Sequence, residues 1–160
     1  MSRGPVAPLA ASVEIDATPA QVWRVVADQR RMNQWSPETH RQYFIGEPLR
    51  RGTLSVNVNK RKAVLWPTLS RYLTVEPEKK LEFHVVGPAA IWSYELTPLD
   101  DGARTKLTER RRLKNDRRTW LSLAVAGSLL GGVASHDDEL VDGMKSTLAR
   151  IKAEAEGASA

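Results

Sequence analysis

The 160-residue chain contains no cysteine. Disulfides, thiolate nucleophiles and thiolate zinc sites are therefore excluded, and a reducing cytoplasm is the compartment such a composition fits. Phenylalanine is scarce, with two residues against five tryptophans. Tryptophan joins a large apolar body to one hydrogen-bond donor, so this excess predicts core packing or pocket walls. No apolar run reaches the ~20 residues that a membrane-spanning helix needs. The longest, Trp120–Ala134 (WLSLAVAGSLLGGVA), is uncharged but weakened as a helix by Gly127, Gly131 and Gly132. The chain also lacks GxSxG, phosphate-loop and dinucleotide fingerprints. Its opening stretch has no apolar segment of the signal-peptide kind and reads as a flexible leader over residues 1–11.

What is present is ordinary for a globular protein: 41% hydrophobic and 27% charged residues. One domain is expected over residues 12–155, with a frayed tail at 156–160. The net charge is +5 and the isoelectric point is near 9.7. Positive residues are spread along the chain, with one dense run at Arg110–Arg118 (RRRLKNDRR). No helix-turn-helix, finger or RNA-binding signature accompanies them, so the run reads as a solvated face and nucleic acid is not an expected partner.

Ser12–Ile15 alternates like a short strand. Thr18-Pro19-Ala20-Gln21 is a capping box with proline at the first helical position, and it opens a helix to about Asp28. A second helical turn, Arg30–Trp35, ends at Ser36-Pro37, because the residue before proline avoids the helical region. Six strands follow: Gln42–Ile45, Leu54–Asn59, Ala63–Val75, Lys80–Val85, Ile91–Thr97 and Arg104–Arg112. Turn residues separate them, the last being Asp100-Asp101-Gly102. Leu81, Phe83 and Val85 share a face, as do Trp92, Tyr94 and Leu96, while Glu82, His84 and Glu95 lie opposite. This alternation predicts one buried and one wet side. Ser135 and Asp138 form a second capping box, and Leu140, Val141, Met144, Leu148 and Ile151 mark the apolar stripe of a long final helix.

The fold class is therefore α+β, with a curved antiparallel sheet of six or seven strands around a C-terminal helix. So wide a sheet has more buried face than one helix covers. The surplus implies an internal cavity, or a partner over the remainder.

In this order the chain resembles the START/Bet v 1-like (SRPBCC, helix-grip) superfamily, specifically its bacterial polyketide cyclase/dehydrase-like group. The stretches that carry the likeness are Val13–Glu38, Asn59–Thr68 (NKRKAVLWPT), Val75–Phe83 (VEPEKKLEF), Trp92–Pro98 (WSYELTP), Asp101–Glu109 (DGARTKLTE) and Asp142–Lys152 (DGMKSTLARIK). The resemblance implies a cavity between the concave sheet face and the final helix. It implies ligands such as lipids, polyketides or sterols, held by some members and cyclised or dehydrated by others.

Such a cavity is expected to be lined by Trp35, Trp66, Phe83, Trp92, Tyr94, Leu107 and Met144, aromatic and nearly free of ionisable groups. Asn59 is a candidate hydrogen-bond partner for a ligand, or else satisfies a turn. Glu109 is the only catalytic candidate: it continues the inward series Thr105, Leu107, where an unpaired carboxylate is costly. Inside, it needs Arg71, Tyr94 or a ligand hydroxyl; a bulge or strand end would instead turn it to solvent. Pro67 predicts a bulge that leaves the side taken by Trp66 open. His40, His84 and His136 fit no ligand spacing, His84 falls on the polar side, and neither metal nor cofactor is expected.

Three functions remain: carriage of a small apolar molecule, a polyketide cyclase or dehydratase relying on Glu109, or a client-binding regulator. Gly127–Gly132 suggests a lid, and Trp120–Ala134 is the candidate surface for transient membrane contact or a homodimer.

Overall fold

The computed structural model describes residues 8–46, 48–87, 89–113 and 133–157, the first four residues of the last segment by backbone alone. Residues 120–132, which make up nearly all of the apolar stretch and include Gly127–Gly132, expected from the sequence as a lid, lie outside the described residues, so neither the lid nor the contact surface expected there is placed.

Strand β1 covers Leu9–Ile15, and helix α1 covers Pro19–Val26. A 3-10 turn at Gln29–Arg31 leads into α2, Met32–Trp35. Six strands follow: β2 (Thr39–Ile45), β3 (Leu54–Arg61), β4 (Val64–Glu76), β5 (Lys80–Val86), β6 (Ala90–Leu99) and β7 (Arg104–Leu113). The final helix, α3, runs Val133–Gly157. All seven strands form one antiparallel sheet in the order β1-β7-β6-β5-β4-β3-β2.

The local signals explain much of this. Thr18 caps α1 reciprocally, with the Gln21 amide 3.3 Å from Thr18 Oγ1 and the Thr18 amide donating to Gln21 Oε1 at 2.9 Å. The helix then buries Val22, Val25 and Val26. Asp100 and Asp101 both adopt positive φ between β6 and β7, conformations that aspartate tolerates better than most residues.

Four expectations need correction. β1 starts at Leu9, so three residues assigned to the leader pair with β7; the small residues Ala10 and Ala11 give too faint a strand signal. α3 starts at Val133, ahead of the Ser135 cap. Pro67 makes no bulge: the register runs through Val58↔Pro67 and Asn59↔Trp66 without a shift. Val64–Thr68 pairs with β3 alone, because β5 ends opposite Leu69, and such edge positions tolerate proline. The irregularities fall between Thr39 and Arg41 and between Tyr72 and Thr74.

The fourth concerns the faces of the sheet. On β6 and β7 the inward residues are those expected, with Tyr94, Leu96, Thr105 and Leu107 buried. On β3 and β4 the polarity is reversed. Ser55, Asn57 and Ser70 are buried on the inner face, while Val56, Leu65 and Leu69 are exposed on the outer. His84 is half-buried, not open to solvent.

The core joins α1, α2, one end of the sheet and α3 through Ile15, Val22, Trp35, Leu81, Leu107, Leu148 and Ile151. α3 packs on β1, β7, α1 and α2, with no comparable packing onto β3, β4 or β5. The helix is thus fastened along one flank of the sheet and stands off the other. Ile151 is fully buried in the fastened part. Ile151→Ala is expected to cost about 3 kcal/mol, the middle of the range for such truncations, read as a lowered urea midpoint at unchanged slope.

Candidate functional site

Where α3 stands off the sheet there is a cavity of about 330 Å³, within the range of small-molecule sites. Its apolar wall comes from Trp66, Phe83, Val85 and Trp92 on the sheet and from Leu140 and Met144 on α3. The opposite wall is polar, built by β2–β4. Asn57 is its centre: Oδ1 accepts from Ser55 Oγ and Gln42 Nε2, both at 3.0 Å, and Nδ2 donates to Ser70 Oγ at 2.7 Å and Thr68 Oγ1 at 3.3 Å. All four hydrogen bonds open to an amide side chain are made, so Asn57 is fixed in place. Asn59 extends the ladder by donating to Thr68 Oγ1 at 3.0 Å.

The remaining wall is the end of β7. Its inward series runs Thr105, Leu107, Glu109, Arg111, Leu113, and all five are buried. Glu109 pairs with Tyr94 across the β6–β7 ladder, and Arg111 with Trp92. Directly opposed side chains in such a ladder lie close together, which brings the Tyr94 hydroxyl to 3.1 Å from Glu109 Oε1, to which it donates. Glu109 Oε2 is buried and has no hydrogen-bond partner. With Glu109 only 4% exposed, burial pushes its carboxyl up to about 8, and the Tyr94 hydrogen bond only partly opposes this. Glu109 is therefore a neutral acid at pH 7, and burial and the neighbouring carboxyl raise the Tyr94 phenol well above its usual range.

A second group of charges flanks the cavity where α2 leads into β2. Arg61 forms an ion pair with Glu139, and Arg111 Nη1 lies 3.9 Å from Asp137 Oδ1. Burial raises the Glu38 carboxyl, with Glu139 adding to the rise and Arg61 and Arg111 opposing it. Ser36, Pro37, Glu38, Thr39, Glu139 and Gly143 belong both to the cavity and to a neighbouring polar surface groove, so the two are continuous there.

Of the nine residues singled out from the sequence, seven meet at this cavity: Asn59, Trp66, Phe83, Trp92, Tyr94, Glu109 and Met144. Trp35 and Leu107 do not line it. Both are core residues, Trp35 beneath the Arg31 guanidinium and Leu107 within the β1–β7–β6 packing. Arg71 is exposed and is not the partner of Glu109. The cavity is also not nearly free of ionisable groups, since Glu38, Glu109, Arg111 and Glu139 all line it. Sequence reasoning misses Arg111 because a basic run reads as a solvated face, although the two-residue period through Leu107 and Glu109 points to it. It misses Asn57 because inward residues are expected to be apolar. Among the described residues no cluster of three or more His, Asp or Glu side chains could hold a metal ion.

Comparison with known proteins fits this architecture. A search of curated proteins finds no match. Among solved structures, a Thermus thermophilus protein is 15% identical, with 96% of this chain and 100% of that one covered at a TM-score of 0.73. The Zhui aromatase/cyclase from Streptomyces sp. R1128 is 15% identical, with 96% of each chain covered and a TM-score of 0.68. A polyketide cyclase-like protein from Corynebacterium glutamicum is 22% identical, with 91% of this chain and 88% of that one covered and a TM-score of 0.57. At such identities the likeness is one of fold. The sequence model described as polyketide cyclase / dehydrase and lipid transport matches residues 7–156. The chain belongs to that family.

Proposed function

We propose that the cavity binds a small molecule with an aromatic or alicyclic body and at least one oxygen function, and that Glu109 is the group that orients it. The observation that carries this reading is the unpartnered Oε2 of Glu109, buried in the β7 wall of the cavity while Oε1 accepts from Tyr94. A buried polar atom left without a partner is destabilising, and a ligand hydroxyl or carbonyl would supply what the protein does not. The ligand is therefore largely apolar, as the sequence and the family suggest, with an oxygen function for Glu109. Trp66, Phe83 and Trp92 would flank its body, while Asn59 and Tyr94 border its polar edge.

Naphthalene and 1-naphthol test this, because they differ only in the hydroxyl. Quenching of tryptophan fluorescence is expected to show 1-naphthol binding about fivefold more tightly, the effect of one neutral hydrogen bond. In Glu109→Leu that preference should vanish. Equal affinity for the two probes in the unsubstituted protein would sink the proposal.

A second reading, dehydration of a β-hydroxy carbonyl compound, is favoured by the neutral state of Glu109. A carboxyl with a pKa near the working pH can both give and take a proton. It would protonate the departing hydroxyl, releasing water, and the carboxylate so formed would take the proton from the adjacent carbon as the double bond forms. The acid is thereby restored.

A further inference from the structure

Among the described residues, the exposed large hydrophobic side chains are Tyr43, Ile45, Val56, Leu65, Leu69 and Val86. All six lie on one surface, the outer face of β2–β5. Tyr43 pairs with Val56, Val56 with Leu69, and Leu69 with Val86, so four of them form a continuous row across four strands. Their exposures run from 37% to 59%. Neighbouring strands are spaced ~4.8 Å apart, so the row spans roughly 14 Å. A contiguous exposed apolar patch of this kind marks a contact surface.

The same part of the chain carries the protein's positive charge. Residues 39–71 hold seven Lys and Arg side chains against one carboxylate, a net +6, while the other 127 residues hold 17 against 18 and sum to −1. Arg41, Arg50, Arg51, Lys60, Lys62 and Arg71 are exposed, and among the described residues none of them takes part in an ion pair. Arg41, Lys60 and Arg71 project from the outer face itself, between or beside the apolar residues. Two cations of β7 differ: Arg110 pairs with Glu95 at 3.3 Å and Arg112 with Glu82 at 3.5 Å.

We propose that the outer face of β2–β5 docks on an anionic lipid bilayer. Apolar side chains among unpaired cations are what binding in the plane of such a membrane requires, the former entering the interface and the latter meeting the headgroups. A second copy of this chain is the wrong occupant, because it would set the cations Arg41, Lys60 and Arg71 of one face against those of another. Docking there leaves α3 on the side away from the membrane, while the groove that leads to the cavity, which Arg41, Lys60 and Lys62 help to line, lies at the rim of the docked face.

Sedimentation with sucrose-loaded vesicles tests this. Binding is expected to phosphatidylcholine vesicles containing 30% phosphatidylglycerol, and to be lost on pure phosphatidylcholine and in 0.5 M salt. Lys60→Glu and Arg71→Glu should each lower partitioning at least about fivefold, given the contribution of one cation at a membrane surface. Val56→Ser combined with Leu69→Ser should lower it further, while Lys106→Glu, an exposed residue on β7, should have less effect than either reversal on the patch. Circular dichroism verifies that the variants are folded. Equal sedimentation on the two vesicle types would overturn the proposal. So would equal losses for Lys106→Glu and Lys60→Glu, or a solution dimer abolished by the Val56 and Leu69 substitutions.

Discussion

Glu109→Gln is expected to make the protein more stable at neutral pH, by about 3 kcal/mol at pH 7. The Glu109 carboxyl moves from an ordinary value near 4.5 to about 8 on folding, because it is buried. Between those values the folded protein keeps a proton that the unfolded chain has released. Stability therefore falls as pH rises, by about 1.4 kcal/mol per unit. The loss begins near pH 4.5 and levels off above pH 8. Glutamine is neutral throughout and can still accept the Tyr94 hydroxyl, so the variant escapes this loss. Urea denaturation at pH 4.5 and at pH 7 checks the result: the two proteins should be nearly equal at the lower pH and diverge at the higher. Parallel profiles would show that Glu109 is solvated. A stabilising change in a cavity wall would also mean that the acid is kept there at a cost, as functional groups often are.

The opposite result is expected for Arg111. It is 6% exposed, lies near Asp137 and opposes the rise of the Glu38 carboxyl. Arg111→Met leaves the half-buried Glu38 and Asp137 with one cation fewer, Arg61 remaining beside Glu38. The expected loss is therefore smaller than the about 3–5 kcal/mol of a fully buried pair but larger than that of a surface ion pair. The loss should shrink on acidification, because protonating Glu38 removes the uncompensated charge. Glu38→Gln in the Arg111→Met background should likewise recover part of it at pH 7. If the single substitution shifts the urea midpoint no more than a surface change does, Arg111 is not the counter-charge of this site.

These two residues also show how far the sequence can be read. The strands from Leu54 to Leu113 are legible to within a residue or two, because turn residues punctuate them and alternation fills the intervals. The inward placement of Glu109 follows from the same alternation, as does Tyr94 among its prospective partners. Alternation states which residues share a face but not which face is inside. On β6 and β7 hydrophobicity decides that correctly. On β3 and β4 it misleads, because Ser55, Asn57, Thr68 and Ser70 hydrogen-bond one another and so can be enclosed without the usual desolvation cost. Trp35 and Leu107 are expected on the cavity and prove to be core, because nothing in the residue pattern measures how closely α3 approaches each strand. That depends on packing along its whole length.

The sheet order has a consequence for how the chain folds. β2 to β7 are joined in sequence as a meander, so each pairing closes a short loop. β1 instead pairs with β7, with Val13 opposite Leu107, 94 positions apart. Contacts so distant are entropically costly to close and slow a folding reaction. During synthesis β1 emerges first yet has no strand to join until β7 has left the ribosome. The first of the described strands is thus among the last to be locked in place, and until then the edge of β7 that β1 will cover is an open template for other extended chains.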